Sequence, residues 1–328
     1  MDWESAMDGI LHTPLDALRV AVLCGGDSAE RSVSLKSGAA VAAALESRGH
    51  DVFVVDPAEM SLDSYDWNNI DVAFLALHGT FGEDGGVQLI LELHGVVFTG
   101  SDSEASKLAF CKSAAKERFN ASGINTPEYA LIHRDDRPAR LIEQAATVGY
   151  PLVVKPDRQG SSLGVTIVAD ESALAEAVAQ SFAFDSFCLL ERAIIGSEWT
   201  LGVIDDLPLP LIRIGTDHQF FDFEAKYSDD TTEYHFDESI SAEFKDRLTE
   251  IGIAACQALG TKGVARVDIM VDDAGEPWIL EVNTIPGMTD HSLVPKAAAN
   301  IGLDIGQFCE IVIERAMKIG KSELRRAS

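Results

Sequence analysis

Three apolar runs near the start of the chain show no alternation between polar and apolar side chains. They are Arg19-Val20-Ala21-Val22-Leu23-Cys24, Asp51-Val52-Phe53-Val54-Val55-Asp56 and Asp71-Val72-Ala73-Phe74-Leu75-Ala76-Leu77. A strand with one wet face alternates, so a continuous apolar run predicts a strand covered on both faces. Between the first two, an alanine-rich helix is predicted over residues 32–48, with Gly49 as its stop. This order predicts a parallel sheet with helices on both faces. Ligands of such sheets bind beyond the carboxyl ends of the strands, where Gly25-Gly26 and His78-Gly79 lie.

The texture then changes. Helical periodicity runs from residue 106 to 121 and closes at Gly123. Strands are predicted at 151–156 and 163–168 around a Gly/Ser loop, a helix at 171–181, and a strand at 187–191. The last third is mostly strands, with helices at 243–259 and from about Ile305. A chain of 328 residues exceeds one ordinary core, and three compact α/β or α+β units fit it.

Two strands of the last third carry their charge on one face. In Ala265-Arg266-Val267-Asp268-Ile269-Met270-Val271, Arg266 and Asp268 point one way and Val267 and Ile269 the other. In Pro277-Trp278-Ile279-Leu280-Glu281-Val282-Asn283, Glu281 and Asn283 share a face, with Leu280 and Val282 behind them. A turn near Ala274-Gly275 would set Asp268 roughly opposite Glu281. Three oxygen ligands beside an arginine suit Mg²⁺ and nucleotide phosphates. A hairpin with a solvated acidic face fits the same pattern.

Other segments carry chemistry with similar ambiguity. Residues 155–164 run from Lys155 through Gly160-Ser161-Ser162 to Gly164, as a phosphate-cradling loop or a flexible turn. Lys226-Tyr227 precedes the polar stretch Ser228-Asp229-Asp230-Thr231, as a mobile flap or an edge strand. Glu30 either favours a helix start through its dipole or holds a substrate ammonium group. His78 is structural or catalytic. Gly287 and Ser292, in Pro286-Gly287-Met288-Thr289-Asp290-His291-Ser292-Leu293, supply the N–H and hydroxyl that an anion pocket requires.

Composition narrows the classes. The apolar fraction of 46% and charged fraction of 24% are those of a soluble globular chain. A net charge of -27 argues against nucleic acid or an anionic membrane surface as partner. No apolar run approaches the ~20 residues of a membrane span, and the acidic start Met1-Asp2-Trp3-Glu4 does not read as a signal peptide. The five scattered cysteines read as buried small residues in a reducing cytoplasm, without a CxxC pair. Gly320-Lys321-Ser322 is no phosphate loop, because Arg315 stands where that motif needs its first glycine.

Taken in order, the motifs identify a family. Gly25-Gly26-x-Ser28-Ala29-Glu30, His78-Gly79-x-x-Gly82-Glu83-Asp84-Gly85, the Lys155 loop, Glu224-Ala225-Lys226-Tyr227, Ala265-Arg266-Val267-Asp268, Glu281-x-Asn283 and Pro286-Gly287-Met288-Thr289 together resemble the D-alanine–D-alanine ligases of the ATP-grasp superfamily. The resemblance runs from about Arg19 to Ala316. It implies a Rossmann-like domain at 1–108, a central ATP-grasp subdomain at 109–193 and a C-terminal one at 194–328.

The resemblance also implies roles. Lys112, Lys155 and Lys226 match lysines on the ATP phosphates, Ser161-Ser162 the lid over them, Glu191 the hinge at adenine, and Glu198 the ribose acid. Asp268, Glu281 and Asn283 match ligands of two Mg²⁺ ions, for which Mn²⁺ substitutes. Arg266 and the Gly287 N–H match oxyanion donors, and Glu30 the acid on the first D-alanine's ammonium. Ser161 and Tyr227 match residues linking that acid to the flap. Ser292 and Leu293 match the second carboxylate's pocket, and His78 would sit near the reacting centre. Lys226-Tyr227 accompanies an amine as second substrate, although D-serine or another amino acid remains an alternative to D-alanine. A cytoplasmic homodimer serving peptidoglycan synthesis is implied, and a regulatory protein without catalysis is disfavoured because Arg266, Asp268, Glu281 and Asn283 are all present. Departures from the pattern are Cys111 for an aspartate, Leu89 for a small residue, the hinge Glu191-Arg192-Ala193, and His235-Phe236 for cysteine-proline.

Overall fold

The computed structural model describes residues 15–215, 233–236 and 240–327, with side chains up to residue 320. Strands β1 (Arg19–Leu23), β2 (Asp51–Val55) and β3 (Val72–Leu75) form a parallel sheet in the order β2-β1-β3. Every residue of β3 is buried, as is β1 from Val20 onward, which accounts for their unbroken apolar character. Helix α1 (Arg31–Ser47) joins β1 to β2, and α2 (Gly86–Leu93) follows β3.

The helix expected over 106–121 is two helices, α3 (Ser103–Phe110) and α4 (Lys112–Ala121). Cys111 between them is extended, with φ -86° and ψ 99°. The break is tertiary in origin: Asp157 accepts hydrogen bonds from the Ser113 N–H at 2.8 Å and from its hydroxyl at 3.1 Å, and the Asp157 carbonyl accepts from the Lys112 N–H at 3.0 Å. Asp157 thus caps α4 from another element.

A second, antiparallel sheet follows. It contains β4 (Tyr129–His133), β5 (Leu152–Pro156), β6 (Thr166–Val168) and β7 (Phe187–Arg192), ordered β4-β7-β5-β6. The strand expected from residue 163 begins only at Thr166, because Ser161 and Ser162 take left-handed conformations and Gly164 follows at φ 70°. Helices α5 (Pro138–Val148) and α6 (Leu174–Ser181) cover one face.

The third sheet is also antiparallel, in the order β11-β10-β8-β12-β13, with β9 (Leu207–Pro208) beside β8. Its strands are β8 (Gly196–Ile204), β10 (Ile212–Gly215), β11 (Glu233–His235), β12 (Val264–Asp272) and β13 (Pro277–Asn283). Helix α7 (Ala242–Leu259) starts from a Ser241 cap and ends at left-handed Gly260, packing its apolar face on this sheet. Helix α8 (Leu293–Asn300) and the final helix α9 (Ile305–Ala327) come last. Although α9 is last in sequence, Phe308 and Val312 are buried in one core with Val41, Leu45 and Phe74 of the first unit.

Candidate active site

The floor is the β12–β13 hairpin. Its register pairs Arg266 with Asn283 and Asp268 with Glu281, the juxtaposition expected from alternation. Past that pair the register shifts, and Ile269 faces Ile279. Leu280 is the extra residue of a β-bulge. The bulge corrects one expectation: Leu280 is not behind the sheet with Val282 but lines the same cleft as Glu281. On the other side of β12, Thr200 stands beside Asp268 and Glu198 beside Met270.

Each acid of this floor has a cationic partner. Arg266 donates from Nε to Asp268 Oδ1 at 2.8 Å and from Nη2 to Oδ2 at 2.7 Å, and the Thr200 hydroxyl donates to Oδ1 at 2.9 Å. Lys112 Nζ lies 3.3 Å from Glu281 Oε2 and donates to the Gln159 carbonyl at 2.6 Å. Burial opposes the Lys112 charge, but the carboxylates of Glu281, Asp157 and Glu83 outweigh it and raise the pKa. The donors Asp268, Glu281 and Asn283 are all oxygens from paired positions of one hairpin, which suits a hard cation such as Mg²⁺ or Mn²⁺. Asn283 Oδ1 also accepts from the Ile285 N–H at 2.8 Å, which fixes the amide. Among the described residues no group of three or more His, Cys, Asp and Glu side chains forms a metal cluster.

Opposite the floor stands Glu30, buried just before α1. Ser161 donates a short hydrogen bond to its Oε1, joining the first unit to the loop after β5. Two glycines leave room for this carboxylate: a Cβ at Gly79 would lie 2.6 Å from Glu30 Oε2, and one at Gly160 2.9 Å. His78 lies deeper. Its Nε2 is 3.1 Å from Ser37 Oγ, which accepts the Met288 N–H at 3.2 Å, and its Nδ1 is 3.5 Å from Glu83. The chain Glu83–His78–Ser37 thereby holds the turn that presents Gly287.

Two cavities meet here. A polar one of about 50 Å³ is lined by Glu30, His78, Lys112, Ser161, Arg266, Glu281, Asn283 and Gly287. A larger one of about 420 Å³ runs between the two antiparallel sheets, and Lys112, Lys155, Ser162, Glu191, Glu198, Asp268 and Glu281 line it. Val153, Ile167, Met270 and Leu280 give it apolar walls. Its size is that of a small-molecule site. Lys112, Gln159, Gly160 and Glu281 belong to both.

Some expected residues stand elsewhere. Ser292 and Leu293 line neither cavity; Ser292 Oγ accepts the Thr289 N–H at 3.0 Å, and Leu293 is buried in the core beside Met288. Glu191 borders the larger cavity, and its carboxylate is taken up by ion pairs. It is wedged between Lys155 at 2.7 Å and Lys116 at 2.5 Å. Lys226 and Tyr227 lie outside the described residues. Sequence reasoning missed Arg213, which lines the larger cavity from β10, and Gln159, whose backbone carbonyl holds Lys112. Alternation in Ile212-Arg213-Ile214 was the available signal for Arg213. None marked Gln159.

Two family models match the chain, the D-ala D-ala ligase N-terminus over residues 55–101 and the D-ala D-ala ligase C-terminus over residues 119–314. The chain belongs to the D-alanine–D-alanine ligase family. A D-alanine–D-alanine ligase of Ectopseudomonas mendocina is 46% identical over 90% of this chain and 95% of its own length. Two crystal structures of the Bacillus anthracis D-alanine–D-alanine ligase superpose over 94% of this chain and all of theirs. One reaches a TM-score of 0.83 at 36% identity, and the other, complexed with ATP, 0.81 at 33%. A parallel sheet domain followed by two antiparallel sheets around a cleft is therefore the ATP-grasp arrangement of this family. No helix among the described residues is long and apolar enough to cross a membrane.

Proposed function

We propose that this chain joins two molecules of D-alanine into D-alanyl-D-alanine with hydrolysis of ATP to ADP and phosphate, for peptidoglycan precursor synthesis. One observation carries the reading: a small polar cavity with an acid at one end and an arginine at the other opens onto a nucleotide-sized cleft. The family relatives supply the substrate.

The chemistry runs in two steps. The carboxylate of the first D-alanine attacks the γ-phosphorus, ADP leaves, and an acyl phosphate forms. The deprotonated amine of the second D-alanine then attacks the acyl carbon, and the tetrahedral intermediate expels phosphate. Glu30 is suited to bind the ammonium of the first D-alanine, with Ser161 fixing the carboxylate. Arg266 and the Gly287 N–H face the same small cavity and are suited to the oxyanion of the intermediate. Lys112, Lys155, Ser162 and Glu198 line the cleft and are suited to the ATP phosphates and ribose, and Lys226 is assigned to the phosphates from its family match. Asp268, Glu281 and Asn283 would hold two Mg²⁺ ions, or Mn²⁺ in their place, which when bound offset phosphate charge during transfer. Arg266 is paired with Asp268 and Lys112 with Glu281. Ser292 and Leu293 are assigned to the second carboxylate through the turn that Ser292 braces, and Tyr227 to the flap.

We assign domains at 1–108, 109–193 and 194–328 and a cytoplasmic homodimer. The test is product identification with ATP, Mg²⁺ and single D-amino acids, L-amino acids or D-lactate. D-alanyl-D-alanine formed in step with phosphate is the expected result, and phosphate release from D-alanine without peptide refutes it.

A further inference from the structure

Helix α4 carries a second lysine one turn beyond Lys112, on the same side. Lys116 is fully buried and lines neither cavity, so it touches no substrate. Its ammonium has three neighbours: Glu191 Oε2 at 2.5 Å, Thr126 Oγ1 at 2.6 Å, and the face of the Tyr129 ring, 5.6 Å from its centroid. Burying a lysine this deeply is costly unless something requires its charge.

The requirement lies in the charge balance of the cleft wall. Lys155 lines the cleft, but its Nζ donates to Glu191 Oε1 at 2.7 Å. A lone Lys155–Glu191 pair is neutral and offers a phosphate nothing. With Lys116 on the other carboxylate oxygen, two ammonium groups share one carboxylate, and the cluster presents a net positive charge where Lys155 meets the cleft. Burial, only partly offset by the Glu191 carboxylate, lowers the Lys116 pKa to about 8. Burial would raise the Glu191 pKa, but the two lysines hold it below the usual carboxylate range.

The same ammonium reaches the opposite wall. Thr126 Oγ1 accepts from Lys116 and donates to the Ile279 carbonyl at 2.8 Å, one residue before the bulge that turns Glu281 into the site. The Ile279 N–H is taken by the Asn125 carbonyl at 2.8 Å.

We propose that Lys116 is a positioning residue for ATP: by sharing Glu191 it leaves the Lys155–Glu191 pair with a net positive charge toward phosphate, and it ties that wall to the sheet carrying Glu281. The proposal rests on the ligase reading above. The experiment measures steady-state KM values for ATP and D-alanine in wild type, Lys116→Met, Lys116→Arg and Thr126→Val. Losing a charge-assisted contact in Lys116→Met is expected to raise the ATP KM about tenfold or more, with the D-alanine KM within about twofold. Lys116→Arg, which keeps the charge, recovers most of the loss. Thr126→Val removes only the hydroxyl, remains readable if Lys116→Met does not fold, and is expected to raise the ATP KM about threefold. An unchanged ATP KM in these variants, or equal changes in both KM values, overturns the proposal. A wild type that makes no D-alanyl-D-alanine refutes the ligase reading instead.

Discussion

Arg266→Met separates the two roles of the arginine. In the folded chain Arg266 makes two short hydrogen bonds to Asp268, which is 7% exposed and, among the described residues, keeps Thr200 as its side-chain partner once the guanidinium is gone. Removing one member of a buried pair costs roughly 3–5 kcal/mol. Asp268 borders an open cleft, so about 2–3 kcal/mol is expected, or roughly 5 °C in Tm. Catalysis suffers separately, because loss of one oxyanion donor lowers kcat about 10²–10³-fold. The bare Asp268 carboxylate, however, becomes a better cation ligand. Millimolar Mg²⁺ should therefore raise the Tm of the variant more than that of wild type. Thermal melts with and without Mg²⁺, and kinetics at saturating D-alanine, read all three effects. A variant whose ATP KM rises as much as its kcat falls, or whose melt ignores Mg²⁺, refutes this division of labour.

Three further outcomes are expected. Gly160→Ala pushes a methyl to within 2.9 Å of Glu30 Oε2, so the D-alanine KM rises about five- to tenfold, more than the ATP KM; an unchanged D-alanine KM removes Glu30 from substrate binding. Ser37→Ala breaks the link from His78 to the Met288 N–H, lowering kcat about tenfold with little change in either KM, and equal changes in kcat and KM would count against a role in holding the Gly287 turn. Burial works to raise the Asp56 pKa, but Arg31 and the Gly26 and Ala58 N–H groups bring it below its ordinary value. Its stabilising contribution is thus complete above the unfolded pKa near 3.8 and is lost as pH falls through the lower folded value. The stability gap between wild type and Asp56→Asn in urea titrations should close on acidification, and a pH-independent gap would refute the linkage.

The parts of the site legible in the sequence were those set by local period. Alternation alone put Asp268 across from Glu281, and unbroken apolar runs gave the parallel sheet. What escaped was set at a distance. The bulge at Leu280 obeys no period-two rule, and the break at Cys111 is made by Asp157, 46 residues later, with no glycine or proline to announce it. Glu191 sat in a hinge that departs from the family pattern, and its partners Lys116 and Lys155 come from a helix and a neighbouring strand. Leu293 matched a pocket motif, and its side chain fills the core beneath that turn.

The packing of α9 against α1 and β3 bears on how the molecule is made. The core of the first domain contains Phe308 and Val312, so that domain cannot finish folding from its own contiguous sequence. During synthesis it must wait, with Val41, Leu45 and Phe74 incompletely covered, until nearly the whole chain has been translated. Closing a contact over more than 200 residues is slow. Helix α9 is therefore the latch that closes the first unit onto the third sheet, whose Ile204, Ile212 and Val264 share its core.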